Sequence, residues 1–376
     1  MHETEIELAQ KWLLASGIQN PNSTKDNRGR DVGGSFNAWY NPVTKNYSYI
    51  YSEISGYAMT TLAYLYRETQ EHCYKENACK IGDWILTVES QNGTIPTAFY
   101  LSEQSVQKPG EIHSFDVGMV LDGLVCLYRE TQNTTYLEAA KKAADWLVSI
   151  QRPDGSVPAM IDDATGEIKD HNGTWSTQGG PYHVKNVIGL LNLFDVTQDT
   201  RYRDSAIKLC DYALTRQKPD GQFLTYGELD GTNLHPHLYS CEGLYVAGLT
   251  LNNSRYTEAS LRGTKWALSH NLDGVVARHK HGDAVNFNER VDILAQTLRM
   301  AALHGLQDDR ADTIAAKLPQ YINQNNETAT MGGFIFGKSS TGESLPHVNA
   351  WVTMFALQAL RLYGKHDKAF NPYYLV

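Results

Sequence analysis

The feature that most constrains this chain is that it nearly repeats itself. Leu65-Tyr66-Arg67-Glu68-Thr69-Gln70 returns as Leu127-Tyr128-Arg129-Glu130-Thr131-Gln132, and Asp83-Trp84 returns at the same offset as Asp145-Trp146. A period of about 60 residues marks stacked supersecondary units, none of which buries its apolar face alone. Each unit reads as an apolar helix, a short polar turn, an amphipathic helix with Ala and Trp on one face, and a glycine leading into a β-like run. Six such runs begin at Gly34, Gly93, Gly155, Gly221, Gly274 and Gly333. Glycine suits a left-handed helix stop, and the β-branched or aromatic residues behind it suit extended backbone.

The more hydrophobic, inner helices are expected to begin near Glu53, His113, Tyr182, His237, Arg290 and His347. Outer helices are expected over 72–90, 134–151, 199–217, 255–270 and 308–325. The last inner helix, to Tyr363, has no successor, and the helix over 3–16 has no predecessor, so pairing the two closes a circle. The expectation is an all-α (α/α)6 toroid: one domain over residues 1–376, with short β-like segments at the mouth of a central cleft.

Bulk properties narrow the partners. The chain is 41% hydrophobic and 20% charged, with no apolar run long enough to cross a bilayer. Its formal charge of −9 disfavours nucleic acid and anionic membranes, which reward basic surfaces. The opening residues lack the basic start and apolar middle of a secretory signal, which favours a cytoplasmic protein; sequons at Asn22, Asn92, Asn133 and Asn326 weigh slightly the other way. Five cysteines, odd in number and without a CxxC pair, argue against a disulfide framework or a zinc site, and no metal or other cofactor is expected. No phosphate-binding glycine loop and no GxSxG elbow is present, which removes nucleotide and acyl-transfer chemistry.

Because the inner helices of such a ring run parallel, their N-termini gather at one mouth. Tyr51, Glu53 and Tyr57 mark the first start, His113 and Asp116 the second, and Tyr182, His183 and Lys185 the third. His235, His237, Tyr239 and Glu242 mark the fourth, Arg290 and Asp292 the fifth, and His347, Asn349 and Trp351 the last. Helix starts ordinarily take Ser, Thr, Asp or Asn, so His or Tyr at five of six starts points to a ligand. Six helix N-termini favour an anionic ligand, to which Lys185, Arg278, Lys280 and Arg290 add full charges. Aromatic residues at the rim, Trp39 foremost, offer flat faces to the C–H patches of sugar rings. Glu53, set between phenols, is a candidate general acid or base. In Leu234–Gly243, His235 and His237 are expected to hydrogen-bond, with Tyr239 or Glu242 transferring protons; alternation around Pro236 lacks metal-site spacing.

The repeated hairpins, the loops Gln151-Arg152-Pro153-Asp154-Gly155-Ser156 and Gln217-Lys218-Pro219-Asp220-Gly221-Gln222, and Phe115-Asp116-Val117-Gly118 resemble the six-hairpin glycosidase superfamily over almost the whole chain. The resemblance implies a carbohydrate-active enzyme, but it specifies architecture better than reaction. Within the superfamily, the helical domain of glucuronyl C5-epimerases is similar in using tyrosines, an acid and an arginine around a uronate. That likeness implies catalytic roles for Tyr51 with Glu53, Tyr182, Tyr239 with Glu242, and Arg290, acting on glucuronate residues of a glycan. An unsaturated uronyl hydrolase is also similar in ring size and would use Asp116, yet the partner aspartate is missing from the next inner helix at Tyr182-His183. Glycoside hydrolase, polysaccharide lyase, free-sugar 2-epimerase and a non-catalytic sugar-binding ring stand as alternatives to the C5-epimerase.

Overall fold

The computed structural model describes residues 2–102, 110–226, 231–365 and 369–376. Six inner helices, α2 (Ser52–Thr69), α4 (Ser114–Thr131), α6 (Val187–Thr197), α8 (Leu234–Thr250), α10 (Val291–Leu303) and α12 (Ala350–Tyr363), pack side by side in that order, and α12 returns to α2. Outside them lie α1 (Glu3–Ala15), α3 (His72–Val88), α5 (Thr134–Ser149), α7 (Thr200–Thr215), α9 (Ser254–Ser269) and α11 (Asp309–Lys317). Helix α1 packs on α12. The fold is the (α/α)6 toroid, and the two helix classes differ as their sequences require. Helix α4 is buried from Ser114 to Leu127 on every face, whereas α5 buries only a stripe of Tyr136, four alanines and Leu147.

The six glycines hold the hairpins at a constant step. Gly34, Gly93, Gly155, Gly221 and Gly274 adopt φ between 81° and 103° and lie against the backbone of the next outer helix. At Gly155 an added Cβ would stand 2.3 Å from the carbonyl oxygen of Lys208. The sixth contact falls at Gly332, one residue before the expected Gly333: its φ is 92°, and a Cβ there would stand 2.2 Å from the carbonyl oxygen of Leu8 in α1. Gly333 is needed for a different reason, since a methyl there would meet Trp12 and Val348. The glutamine opening each repeated loop clips the same junction. Gln151 Nε2 donates to the carbonyls of Gly155 (3.0 Å) and Ser205 (3.1 Å), and Gln217 does likewise with Gly221 and Ala259. The repeated aspartates also act between hairpins: Asp83 accepts from Tyr136 Oη at 2.6 Å and Asp145 from Tyr202 Oη at 3.0 Å.

Short strands then fix where the inner helices begin. Tyr51, His113, Asn233 and Asn349 are extended N-cap residues of α2, α4, α8 and α12, and each is bridged to a neighbouring segment: Tyr51 to Ala98, His113 to Met160, Asn233 to His279, Asn349 to Trp39. Arg290, the N-cap of α10, is bridged to Gly337. Two starts differ from expectation. Helix α8 begins at Leu234, because Asn233 Oδ1 accepts from His235 N–H at 3.1 Å and Pro236 then sits in the first turn, where no N–H is required. Helix α6 is preceded by a 3₁₀ segment, Pro181–Asn186, which carries Tyr182, His183 and Lys185. At the opposite end of the ring, Tyr374 is fully buried, its carbonyl accepts from Gln358 Nε2 at 2.7 Å, and the segment 372–376 fills the base.

Gly155→Ala is expected to lose about 3 kcal/mol or more of unfolding free energy by urea denaturation, from left-handed strain plus the carbonyl clash. Gly166→Ala is the control, with φ 70° and nothing within 4 Å, and loses only the strain of about 1–2 kcal/mol. Equal losses would mean that the close approach to α7 contributes nothing.

Candidate functional site

Residues four and then three positions apart share one face of a helix, and the inner helices use that spacing to line the cavity. Glu53 and Tyr57 lie on α2; His235, Tyr239 and Glu242 on α8; Asp292, Gln296 and Arg299 on α10; Trp351, Phe355 and Gln358 on α12. The first of each set stands at the mouth, and the last lies two turns down.

Glu53 sits in the first turn of α2, half-buried and open to the mouth. Tyr239 Oη donates to its Oε1 at 3.4 Å, and the phenols of Tyr51 and Tyr57 stand beside it. Burial raises its proton affinity, while Lys185 and the three phenols lower it, leaving the carboxyl at about 7. All three phenols are pushed well above their ordinary range, first by burial and then by ionisable neighbours, so they keep their protons and are available as hydrogen-bond donors.

Beneath Glu53 lies a charge cluster with no exposure. Lys185 Nζ donates to Glu242 Oε2 at 2.7 Å, Arg299 donates to Glu242 Oε1, and Gln296 Nε2 adds a bond to Oε1 at 3.3 Å. Rings surround the ammonium: Tyr239, Tyr57 and Phe355 have centroids 4.5, 4.9 and 5.2 Å away. Burial lowers Lys185 to about 8 against the pull of Glu242. Burial acts to raise Glu242, but Arg299 and Lys185 outweigh it and keep the carboxylate below its ordinary range. With both oxygens engaged, Glu242 is a counter-charge to two cations, a role different from the proton transfer expected of it.

One wall is organised by Asp292. Its Oδ2 accepts from Arg290 Nε (3.1 Å) and Nη2 (2.8 Å) and from Trp351 Nε1 (3.0 Å), and His235 Nδ1 lies 3.4 Å away. Burial works against the charge, yet Arg290 and His235 prevail and hold Asp292 at about 2. His235 also reaches Gln296 Oε1 at 2.7 Å, which ties the wall to the charge cluster. Burial lowers His235 to about 3, so it is neutral at physiological pH. At the rim, Trp39 stands 5.0 Å from His347 and 6.3 Å from Trp351, and Phe336 stacks on His347 at 5.2 Å. Arg290 and Arg278 both approach Phe336, at 5.2 and 6.0 Å.

The opposite wall holds Asp116, buried in the first turn of α4, whose field raises Tyr49, Tyr51 and Tyr182. Tyr182 packs between Phe115 (5.5 Å) and Trp175 (5.1 Å), with His183 at 4.0 Å. His183 Nδ1 lies 3.2 Å from the Gly180 carbonyl, and His113 Nε2 lies 3.5 Å from Glu111. Two expected ligand contacts are corrected. His237 faces α9: its Nδ1 accepts from Phe223 N–H at 3.2 Å and its Nε2 lies 2.9 Å from the Gly263 carbonyl, so backbone engages both ring nitrogens. Asn349 is a fully buried helix cap, its Oδ1 accepting from Val352 N–H at 3.2 Å.

Arg299, Gln296, Phe355 and Gln358 lie outside the expected set, because attention to helix starts stops short of the second and third turns. Their signal is present in the sequence as polar residues at 4 and 3 spacing inside an apolar run, such as Asp292, Gln296 and Arg299. Among the described residues, no group of three or more His, Cys, Asp or Glu side chains converges as a metal site. Cys126, Cys210 and Cys241 are buried, and burial pushes their thiols up.

Asp292→Asn is expected to lower stability by about 2 kcal/mol at pH 7. A depressed carboxyl stabilises the fold above its unfolded value, so the difference persists down to about pH 4 and shrinks as pH falls toward 2. Urea unfolding at pH 7 and pH 3 checks this; a loss independent of pH would mean that the charge is not what Asp292 contributes.

No curated protein matches the sequence. Among solved structures, the chain is similar to a sugar epimerase from a ruminal bacterium (TM-score 0.75, 11% identity, covering 98% of this chain and 100% of that one). It is also similar to the cellobiose 2-epimerase of Bacillus thermoamylovorans (0.71, 13%, 96% and 100%) and to the unsaturated glucuronyl hydrolase of Bacillus sp. GL1 (0.70, 16%, 96% and 96%). At such identities the likeness carries the fold alone. The sequence pattern of the β-L-arabinofuranosidase GH127 catalytic domain matches residues 35–260, from the first glycine run into α9. The chain belongs to that family, within the six-hairpin glycosidase superfamily of carbohydrate-active enzymes.

Proposed function

We propose that this protein cleaves a glycosidic bond at the mouth of the ring, with Glu53 as the general acid. The observation that carries the reading is a carboxyl held at about 7, half open to the mouth and surrounded by three phenols. A carboxyl of that affinity is protonated below neutrality and can protonate a leaving glycosidic oxygen. Asp116, in the first turn of α4 and near enough for its field to raise Tyr51, is the carboxylate we assign to act on the water or the anomeric carbon. Trp39, Trp351 and Trp175 supply apolar faces for the sugar rings. Family membership supports hydrolysis, and β-L-arabinofuranosides are the first substrates to test.

Epimerisation at C5 of a uronate is the second reading, favoured by two observations. Phenols reach Glu53 from both α2 and α8, giving acid–base groups on two sides of one position. Arg278 and Arg290 converge on Phe336 with Asp292 engaging Arg290, an arrangement that suits a sugar carboxylate. In this case one group removes the C5 proton, a group on the opposite face returns one, and the arginines stabilise the enolate-like state.

Glu53→Gln is expected to lower kcat by about 10²–10⁴-fold with the fold intact. Because the acid form is the active one in hydrolysis, wild-type kcat/KM falls as pH rises through about 7. A glutamine variant with wild-type turnover would sink both readings. Incubation with glucuronate-containing oligosaccharides in deuterated water separates them: deuterium at C5 in intact chains identifies the epimerase, and new reducing ends without exchange identify the hydrolase.

A further inference from the structure

Lys185 carries a full charge in a place where a side chain of similar length without one would pack. It comes from the 3₁₀ segment before α6, is 0% exposed, and lies among Tyr57, Tyr239 and Phe355. The anion it contacts, Glu242, is shared with Arg299. Two cations against one carboxylate leave one unit of positive charge in a region closed to water. Arg299 is further taken up by Gln358 Oε1 at 3.0 Å and by the face of Phe355 at 4.7 Å. The surplus therefore bears on carboxyls near Lys185, and Glu53 is the one that is half open to the mouth.

We propose that Lys185 is a positioning residue that sets the proton affinity of Glu53 from below, through the surplus charge it shares with Arg299 and Glu242, without touching the sugar. The inference rests on Glu53 being the acid–base group, and it adds what holds that group near neutrality. The ammonium lies 4.5 Å from the ring of Tyr239, whose hydroxyl donates to Glu53 at 3.4 Å, so the buried charge stands one side chain away from the carboxyl and opposes the burial that would drive Glu53 higher. The other groups around Glu53 are Tyr51 and Tyr57 from its own helix and strand and Tyr239 from α8, with Tyr49 and Tyr182 feeling its field. Around Lys185 stand Glu242 from α8, Arg299 from α10, Glu53 from α2 and Asp122 from α4, while α12 presents the apolar Phe355. Asp122 is itself raised to about 7 by burial and is engaged by Asn192 at 3.1 Å, so it competes for the surplus from beneath.

Two matched rises and one unmoved midpoint distinguish this role from a structural one, since loose packing that admits water would lower the midpoint of Glu53. Removing the cation in Lys185→Met raises that midpoint by about one to two pH units, since a nearby opposite charge lowers a carboxyl by that order. Removing the other cation in Arg299→Met leaves Lys185 balanced by Glu242, cancels the surplus and also raises the midpoint, by about one unit. Lys185→Arg keeps the charge and keeps the wild-type midpoint. The readout is the carboxylic acid carbonyl band of Glu53 in infrared difference titration of the full chain, assigned by its loss in Glu53→Gln, alongside the alkaline limb of kcat/KM. A midpoint that stays put in Lys185→Met, or moves in Lys185→Arg, overturns the proposal. If Lys185→Met does not fold, Arg299→Met decides alone: a rise supports the role, and no rise overturns it. If no sugar is turned over but the infrared midpoints move as stated, the catalytic reading fails and the charge coupling stands; turnover with unmoved midpoints gives the converse.

Discussion

The ring depends on backbone lying against backbone. At each junction a residue without a Cβ lets the turn after one outer helix rest on a carbonyl of the next, and the backbone there takes a left-handed conformation that side chains disfavour. Because this contact recurs around the circle and closes between Gly332 and Leu8, each hairpin is offset from its neighbour by nearly the same step. Bridges to the N-cap residues then hold the helix starts level with one another. A glutamate on α2, a lysine before α6, a glutamate on α8 and an arginine on α10 meet in one cavity because of this, although they span almost 250 residues of chain (53 to 299).

Charge inside that cavity is distributed unevenly. Asp292 is satisfied several times over, by a bidentate arginine, an indole and a histidine, and Glu242 is satisfied by two cations and an amide. Glu53 receives phenols and the field of an ammonium that is itself bonded to Glu242. A buried ion is tolerated when its partners are complete, and one with incomplete partners shifts toward its neutral form. Glu53 at the mouth and Asp122 beneath the cluster are therefore both held near 7, whereas Glu242 and Asp292 are lowered. Burial likewise keeps the histidines uncharged at physiological pH, lowering His183, His235, His237 and His347 to about 4 or below.

Much of this was legible in the chain. The repeat, the glycine runs and the unmatched first and last helices gave the toroid, and the crowding of Tyr, His and acid at helix starts marked the mouth. What was not legible followed from local physics that one-dimensional spacing hides. Asn233 caps α8 three residues early and turns His237 outward, whereas His235, two residues before it, faces inward. Asn349 resembled a ligand and is a cap. Arg299 and Gln358 are hidden in helices that read as apolar, yet each is the third member of a stripe whose first, Asp292 or Trp351, stands at a helix start.

The base of the ring has a consequence for traffic. With Glu242, Lys185 and Arg299 sealed from solvent and the segment 372–376 filling the space below, the cavity is a cul-de-sac. A polymer cannot thread through it and advance. On the function proposed above, a sugar enters tip first and its product backs out by the same door, so each turnover ends in a full release, and a long glycan is worked from its free ends or side branches, one visit at a time.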